Sequence, residues 1–245
     1  MLGLIKAALG VRCYYWLADT FLRGRRRVAE AFGVYRWSRM GLYEMDKKLS
    51  RYLNFEKGVY IEAGANDGIT QSNTYYLSKA LAWRGILIEP VYPIYLKCKK
   101  NRPLDTVVNC ALVAPDDEGR QFVISVHEQG GLMSQMVQKS DGSMDVDPLG
   151  QTIEAVGRTL TSVISDTEFK HIDFFSLDVE GYELHVLNGL DFKLFSPTII
   201  LVETEHIEKV DKLLSPLYDR VEQFSPLDYL YRKKEKGTQF TNPEL

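Results

Sequence analysis

The side chains able to do chemistry in this sequence gather where short apolar runs end. Val59–Ala63 runs into Gly64-Ala65-Asn66-Asp67-Gly68, Gly85–Glu89 is stopped by Pro90, and Val107–Val113 carries Asn109 and Ala111. Further on, Ile172–Leu177 leads into Asp178-Val-Glu-Gly-Tyr182, and Thr198–Val202 into Glu203 and Glu205. Carboxylates so placed can accept hydrogen bonds from hydroxyl groups, take up a proton or hold a hard cation. Sulfur and zinc chemistry find no comparable pattern. The three cysteines, Cys13, Cys98 and Cys110, form no CxxC pair, and no HxH or HExxH occurs. Such cysteine usage is that of a reducing, cytoplasmic protein.

Gly64 and Gly68 permit a turn whose backbone approaches a ligand without side-chain obstruction. Glu89 follows Gly64 by 25 residues, the range for a carboxylate that accepts the two hydroxyls of a ribose. The turn is GxxxG, neither GxGxxG nor GxxxxGK[ST], and it is flanked by Glu62 and Asp67. Those acids oppose a pyrophosphate and suit a cation, so S-adenosylmethionine, a sulfonium with an ammonium group, is favoured over a dinucleotide.

The spacing of elements fits that reading. Strands at Val59–Ala63, Gly85–Glu89 and Val107–Val113 alternate with helices from Ser72 or Asn73 to Trp83 and from Pro93 to Asn101. This is the pattern of a parallel α/β sheet covered on both faces, where ligands bind beyond the carboxyl ends of the strands. Arg120–Val126 alternates as a strand, and most of 130–157 reads as loop. Asp141–Asp147 resembles a calcium loop only in its recurring carboxylates, without the glycine and terminal glutamate of that site. A helix begins at Thr161 or Ser162, Ile172–Leu177 and Thr198–Val202 are buried strands, and Tyr182–Leu190 and His206–Leu214 are helices. Val221–Phe224 and Tyr229–Arg232 close the sheet as a strand pair.

The 245 residues, 45% hydrophobic and 26% charged, describe a globular chain with one large core and no internal repeat. Its net charge of −3 divides unevenly, with +7 on residues 1–57 and −10 on residues 58–245. An acidic body argues against nucleic acid as a partner. Residues 1–57 read as a basic, aromatic helical extension, 58–232 as the main domain with a variable insertion at 127–157, and 233–245 as a polar tail. Met1–Leu22 is expected to be an amphipathic helix. It either packs against the body or a second subunit, or lies on a membrane surface through residues 1–27. Its heaviest positive charge follows the apolar run, opposite to a secretory signal.

Val59-Tyr-Ile-Glu-Ala-Gly-Ala-Asn-Asp-Gly68, Ser72-Asn-Thr74, Trp83-Arg-Gly-Ile-Leu-Ile-Glu-Pro90 and Asn101-Arg102 resemble the FkbM-type methyltransferases. Phe174-Phe-Ser-Leu-Asp-Val-Glu-Gly-Tyr-Glu183, Val186-Leu-Asn-Gly189 and Ile199-Ile-Leu-Val-Glu203 continue the resemblance in order. Many members of that family carry Asp where this chain has Glu62. The resemblance implies a class I methyltransferase fold, a Rossmann-like three-layer sandwich with a mostly parallel sheet and an antiparallel C-terminal strand. It implies transfer of a methyl group to a hydroxyl of a sugar, glycan or secondary metabolite. Taken with the strand-end positions, it assigns Gly64, Ala65, Asn66 and Gly68 to the cofactor turn. Glu62 or Asp67 is assigned to the ammonium, Ser72 and Asn73 to the carboxylate, Glu89 to the ribose, and Asn109 and Ala111 to the adenine.

For catalysis, Asp178 and Glu180 stand where acceptor and cofactor should meet, and His206 at a strand exit is a further base. His185 and His127 are weaker candidates, and His171 belongs at the opposite edge. Asp178, Glu180 and Glu203 also form a possible oxygen ligand set for a divalent metal such as magnesium. Two other functions fit the same pocket: N-methylation, and a nucleotide-binding scaffold without turnover.

Overall fold

The computed structural model describes residues 11–126, 135–136 and 151–235. His127, most of the 127–157 insertion, the Asp141–Asp147 stretch, residues 1–10 and the end of the tail lie outside them.

The first half supplies β1 (Val59–Ala63), β2 (Arg84–Ile88) and β3 (Thr106–Val108), then β4 (Ala111–Leu112) and β5 (Gln121–Val126). The second half supplies β6 (Gln135–Met136), β7 (Gln151–Arg158), β8 (Phe174–Leu177), β9 (Ile199–Glu203), β10 (Tyr218–Gln223) and β11 (Asp228–Lys233). Seven of these form one sheet in the order β10-β11-β9-β8-β1-β2-β3. β3, β2, β1, β8 and β9 run parallel, and β11 is antiparallel to both its neighbours. The strand order reverses between β1 and β8, so their carboxyl ends flank the crevice where such sheets bind ligands.

Alternation along the strands sends side chains to two opposite layers. Ile61, Ile86, Phe175, Ile200 and Val202 face one way, against Leu160, Val163, Val186, Leu187, Val210 and Leu214. Those residues belong to the helices Leu160–Ser165, Glu183–Asn188 and Ile207–Leu214. Tyr60, Phe174, Leu201 and Leu230 face the other way, against Leu77, Trp83, Met45, Leu49 and Leu53. The segment Met45–Leu53 therefore packs into the body of the sheet, although it lies within the basic extension.

Three expectations need correction. Val107–Val113 is not one strand, because Asn109 Nδ2 donates to the carbonyls of Glu89 and Pro90, both at 2.8 Å. The chain turns there, and Ala111 and Leu112 leave the main sheet to pair with Gly157 and Arg158 of β7. The end of the supposed loop is thus an eight-residue strand, pairing along the whole of β5 and burying Ala155 with Phe122 and Ile124. Helix boundaries also shift. The helix expected to reach Trp83 spans Tyr75–Ala80, with Ala82 in the left-handed region at φ 55°, and Thr159 rather than Thr161 caps Leu160–Ser165.

Beneath the crevice lies a buried polar network centred on Arg102, which is 1% exposed. Its guanidinium donates to Asp105 at 2.8 Å, to the Gly68 carbonyl at 2.9 Å, to Thr74 Oγ1 at 3.1 Å and to the Tyr60 hydroxyl. Tyr60 in turn donates to Asp105 at 2.6 Å. Removing one partner of a buried ion pair strands the other charge without water. Arg102→Met is expected to lower the unfolding free energy by about 3–5 kcal/mol, read from urea denaturation. A loss below about 1 kcal/mol would show that the surrounding polar groups are satisfied without it.

Candidate active site

The turn after β1 is drawn across the end of β2. The amides of Gly64 and Ala65 both donate to the Ile88 carbonyl, at 3.1 and 3.0 Å. One residue on, Glu89 Oε2 accepts from the Asn66 amide at 2.9 Å, and Oε1 accepts from the Val91 amide at 2.8 Å. Burial to 6% exposure raises the Glu89 pKa to about 7, against the lowering effect of those two amides. A carboxylate has about four lone-pair positions, so two remain for hydroxyl donors.

Glu89 lies in a cleft of about 950 Å³, counting its open mouth. Gly64, Ala65 and Asn66 form one side, Pro90, Ala111 and Leu112 another, and Asp178, Val179, Glu180 and Tyr182 a third. Pro90, Leu112, Val179 and Tyr182 were not distinguished by sequence. Pro90 and Tyr182 sit inside recognisable motifs, but spacing alone does not say which apolar or aromatic groups cover a ring.

Other residues expected at the cofactor make hydrogen bonds within the protein; of these, Glu62, Ser72 and Asn73 also line the cleft. Glu62 lines the cleft, yet its carboxylate already accepts from Ser72 Oγ at 2.8 Å, the Asn73 amide at 2.8 Å and Thr74 Oγ1 at 2.6 Å. It therefore clamps the Ser72–Thr74 bend, and the same bonds occupy Ser72 Oγ and the Asn73 amide. Asp67 caps its own turn, accepting from the Ile69 and Thr70 amides at 2.9 and 2.7 Å. Gly68, at φ 75°, packs against Arg102 and Cys98, where a Cβ would come within 2.7 Å of Arg102 Cγ. Asn109 braces the Glu89–Pro90 backbone. Asp67, Gly68 and Asn109 are thus structural supports behind the cleft wall.

A second cavity of about 530 Å³ shares Asp178 and Glu180 with the first. Glu183, Glu203, Glu205, Thr204 and His206 complete its polar lining. Pairing of Leu177 with Val202 brings Asp178 beside Glu203. Burial, then the charge of Glu203, holds the Asp178 pKa well above the ordinary carboxylate range. Burial likewise raises Glu203, and the charge of Asp228 adds to it. Asp228 adds a further buried carboxyl opposite Glu203, placed there by the β9–β11 register. Sequence offered no sign of it, because 25 residues separate the two.

Among the described residues, no three His, Cys, Asp or Glu side chains converge to hold a metal. The Asp178, Glu180 and Glu203 ligand set is therefore not assembled: Asp178 and Glu203 turn to each other, while Glu180 occupies a left-handed turn at φ 51°. His206 begins the Ile207–Leu214 helix at the exposed rim of the second cavity. His185 stacks on Tyr182 with ring centres 4.6 Å apart, and His171 pairs with Asp173 at 2.9 Å before β8, away from the strand ends.

A family model described as the methyltransferase FkbM domain matches residues 62–233. No curated protein sequence matches the chain significantly. Solved structures similar to it include a precorrin-6y C5,15-methyltransferase from Geobacter metallireducens, 12% identical, covering 78% of this chain and 88% of that one, TM-score 0.45. A putative caffeoyl-CoA O-methyltransferase from Staphylococcus aureus is 10% identical, covering 90% and 98%, TM-score 0.44. A methyltransferase from Aquifex aeolicus described as SAM-dependent is 10% identical, covering 76% and 88%, TM-score 0.42. The family match spans well over half of the sequence, and the cleft bounded by Gly64–Asn66 and Glu89 lies within it. The chain belongs to the methyltransferase FkbM domain family and is an S-adenosylmethionine-dependent methyltransferase.

Proposed function

We propose that the enzyme methylates a hydroxyl group of a sugar, glycan or secondary metabolite. The observation that carries this reading is the junction of the two cavities at Asp178, where its carboxyl stands beside that of Glu203. The first cavity suits the cofactor: Glu89 keeps two acceptor positions for a ribose, and Ile88, Pro90, Ala111 and Leu112 supply apolar wall. When bound, S-adenosylmethionine supplies an activated methyl group. The chain's task is then alignment of an acceptor oxygen and removal of its proton.

Asp178 and Glu203 are suited to the second task. An ordinary carboxylate, with pKa near 4, is a poor base for an alcohol. Burial and mutual repulsion raise the proton affinity of this pair, so that it takes a proton more readily as positive charge builds on the acceptor oxygen. The five carboxylates of the second cavity, from Asp178, Glu180, Glu183, Glu203 and Glu205, also offer acceptors to a polyhydroxylated molecule. An amine is served less well there, because the same negative field raises its pKa and keeps it as a non-nucleophilic ammonium.

Product analysis tests the assignment directly: candidate sugars and hydroxylated metabolites should yield a product with the new methyl on oxygen. A methyl found only on nitrogen would replace this reading. Asp178→Asn should lower kcat roughly 100-fold or more, with affinity for S-adenosylhomocysteine nearly unchanged. The base form is lost as pH falls through the pair's raised pKa values, so kcat should decline on the acid side above the ordinary carboxylate range. In Glu203→Gln that decline should move to lower pH, because one like charge is gone.

Glu89 gives a separate signature in binding. Hydroxyl donors favour its charged form, whereas the empty site favours protonation below about pH 7. S-adenosylhomocysteine should therefore bind more tightly as pH rises toward 7 and displace up to one proton below it. Calorimetry in buffers of different ionisation enthalpy measures that release. Glu89→Gln should bind more weakly and lose the pH dependence; a retained dependence would place the titration on another group.

A further inference from the structure

The N-terminal helix Val11–Ala31 presents two different faces. The inner one is anchored. Arg26 is buried, lies 5.0 Å from the Tyr75 ring and pairs with Glu30 at 3.6 Å. Glu30 also accepts from Ser38 at 2.8 Å and from the Tyr75 hydroxyl at 3.2 Å. The outer face carries Phe21, Arg25 and Val28 at helical spacing, with Phe32 just past the helix end. Phe21 is 69% exposed, Val28 60% and Phe32 81%. Arg25 stacks on Trp37 at 4.4 Å, and a shallow groove of mostly apolar lining runs between the helix and that ring.

Residues 21–29 contain four arginines and no acidic residue; Arg25 stands within the apolar stripe and Arg27 is exposed on its flank. Bulky apolar side chains bordered by arginines are the composition of a helix lying in the headgroup region of a bilayer. Anionic lipid supplies the charge that complements them. A second copy packed on the same face would bring equivalent arginines together without a carboxylate between them, a repulsive arrangement.

We propose that this outward face docks the enzyme on an anionic lipid surface. The docking is peripheral, since among the described residues no helix is long and apolar enough to cross a membrane. The anchoring through Arg26 and Glu30 makes the face part of a fixed surface on the body.

Flotation of the full chain with vesicles tests this. Vesicles of equal parts phosphatidylcholine and phosphatidylglycerol should carry the protein, while phosphatidylcholine alone should carry at least about tenfold less, and salt should weaken the difference. The double variant Phe21→Ser/Phe32→Ser and, independently, Arg25→Gln/Arg27→Gln should each reduce partitioning about tenfold. Both should keep wild-type thermal unfolding and S-adenosylhomocysteine affinity, which separates lost docking from lost folding. Equal binding to the two vesicle types, no binding to either, or undiminished binding by both variants would overturn the proposal. Light scattering that shows a dimer dissolved by Phe21→Ser/Phe32→Ser, with no vesicle binding by the wild type, would assign the face to a second copy instead.

Discussion

No side chain fits between the backbone of Gly64 and that of Asp178. A Cβ built on Gly64 would come within 1.8 Å of the Asp178 carbonyl oxygen, and Gly64 has φ 80°. Alanine there would meet both a backbone clash and an unfavourable conformation. This contact joins the two working parts of the molecule. On one side is the Gly64–Asn66 turn that walls the first cleft, held to β2 through the Ile88 carbonyl; on the other is the turn that carries Asp178. The Asp178 amide donates to the Ala63 carbonyl at 3.2 Å, so the parallel ladder continues to the point of contact. The geometry between the Gly64–Asn66 turn and the carboxyl pair is therefore set by backbone packing, which relaxes less than side-chain packing does.

The carboxyl groups at the strand ends divide by whether a cation compensates them. Behind β1, Arg102 lies within a network that includes Asp105 and Tyr60, and its charge offsets part of the cost of burying Glu62. Glu62 is further satisfied by three donors, leaving it suited to holding a bend rather than exchanging protons. In front, Asp178, Glu203 and Asp228 are partly or fully buried, and among the described residues the opposing charge comes from Lys48 near Asp228. Their proton affinities rise because burial penalises charge and the neighbours are acidic. Residues of one chemical type at neighbouring strand ends thus become either a brace or a proton-binding group. That difference follows from the company each one keeps.

Sequence made the parallel strands legible because buried strands are short apolar runs with polar groups at one end. β1, β2, β8 and β9 were recognisable on that basis, as was the terminal antiparallel pair. It could not show where a run breaks. Val107–Val113 is apolar except for Asn109, and only the two carbonyls to which that side chain donates reveal why the chain departs from the sheet. β7 was obscured because its polar positions, Gln151, Thr152 and Glu154, resemble the loop before it, while its register comes from β5. At the site, residue type and strand-end position located Glu89 and Asp178 in the cleft. They did not distinguish Glu62, consumed by the Ser72–Thr74 bend, from a free acid. Nor did they find Asp228, which reaches Glu203 through a long-range strand pairing.

The N-terminal arginines show why position in a fold matters more than a count of charges. Arg25-Arg26-Arg27 looks like one basic cluster in sequence, but a helix turns each successive side chain by about 100°. Arg26 is consequently buried over Tyr75, Arg25 lies over Trp37, and Arg27 is left exposed. One arginine of the three fixes the helix to the body, and its neighbours set the character of the surface. The inward turn of Arg26 is also what directs Phe21 and Val28 outward, since residues five before and two after it fall on the far side of a 3.6-residue period. Anchoring and exposure are therefore a single geometric fact: a helix held in another rotation would lose the Arg26–Glu30–Ser38 contacts as it buried the apolar stripe.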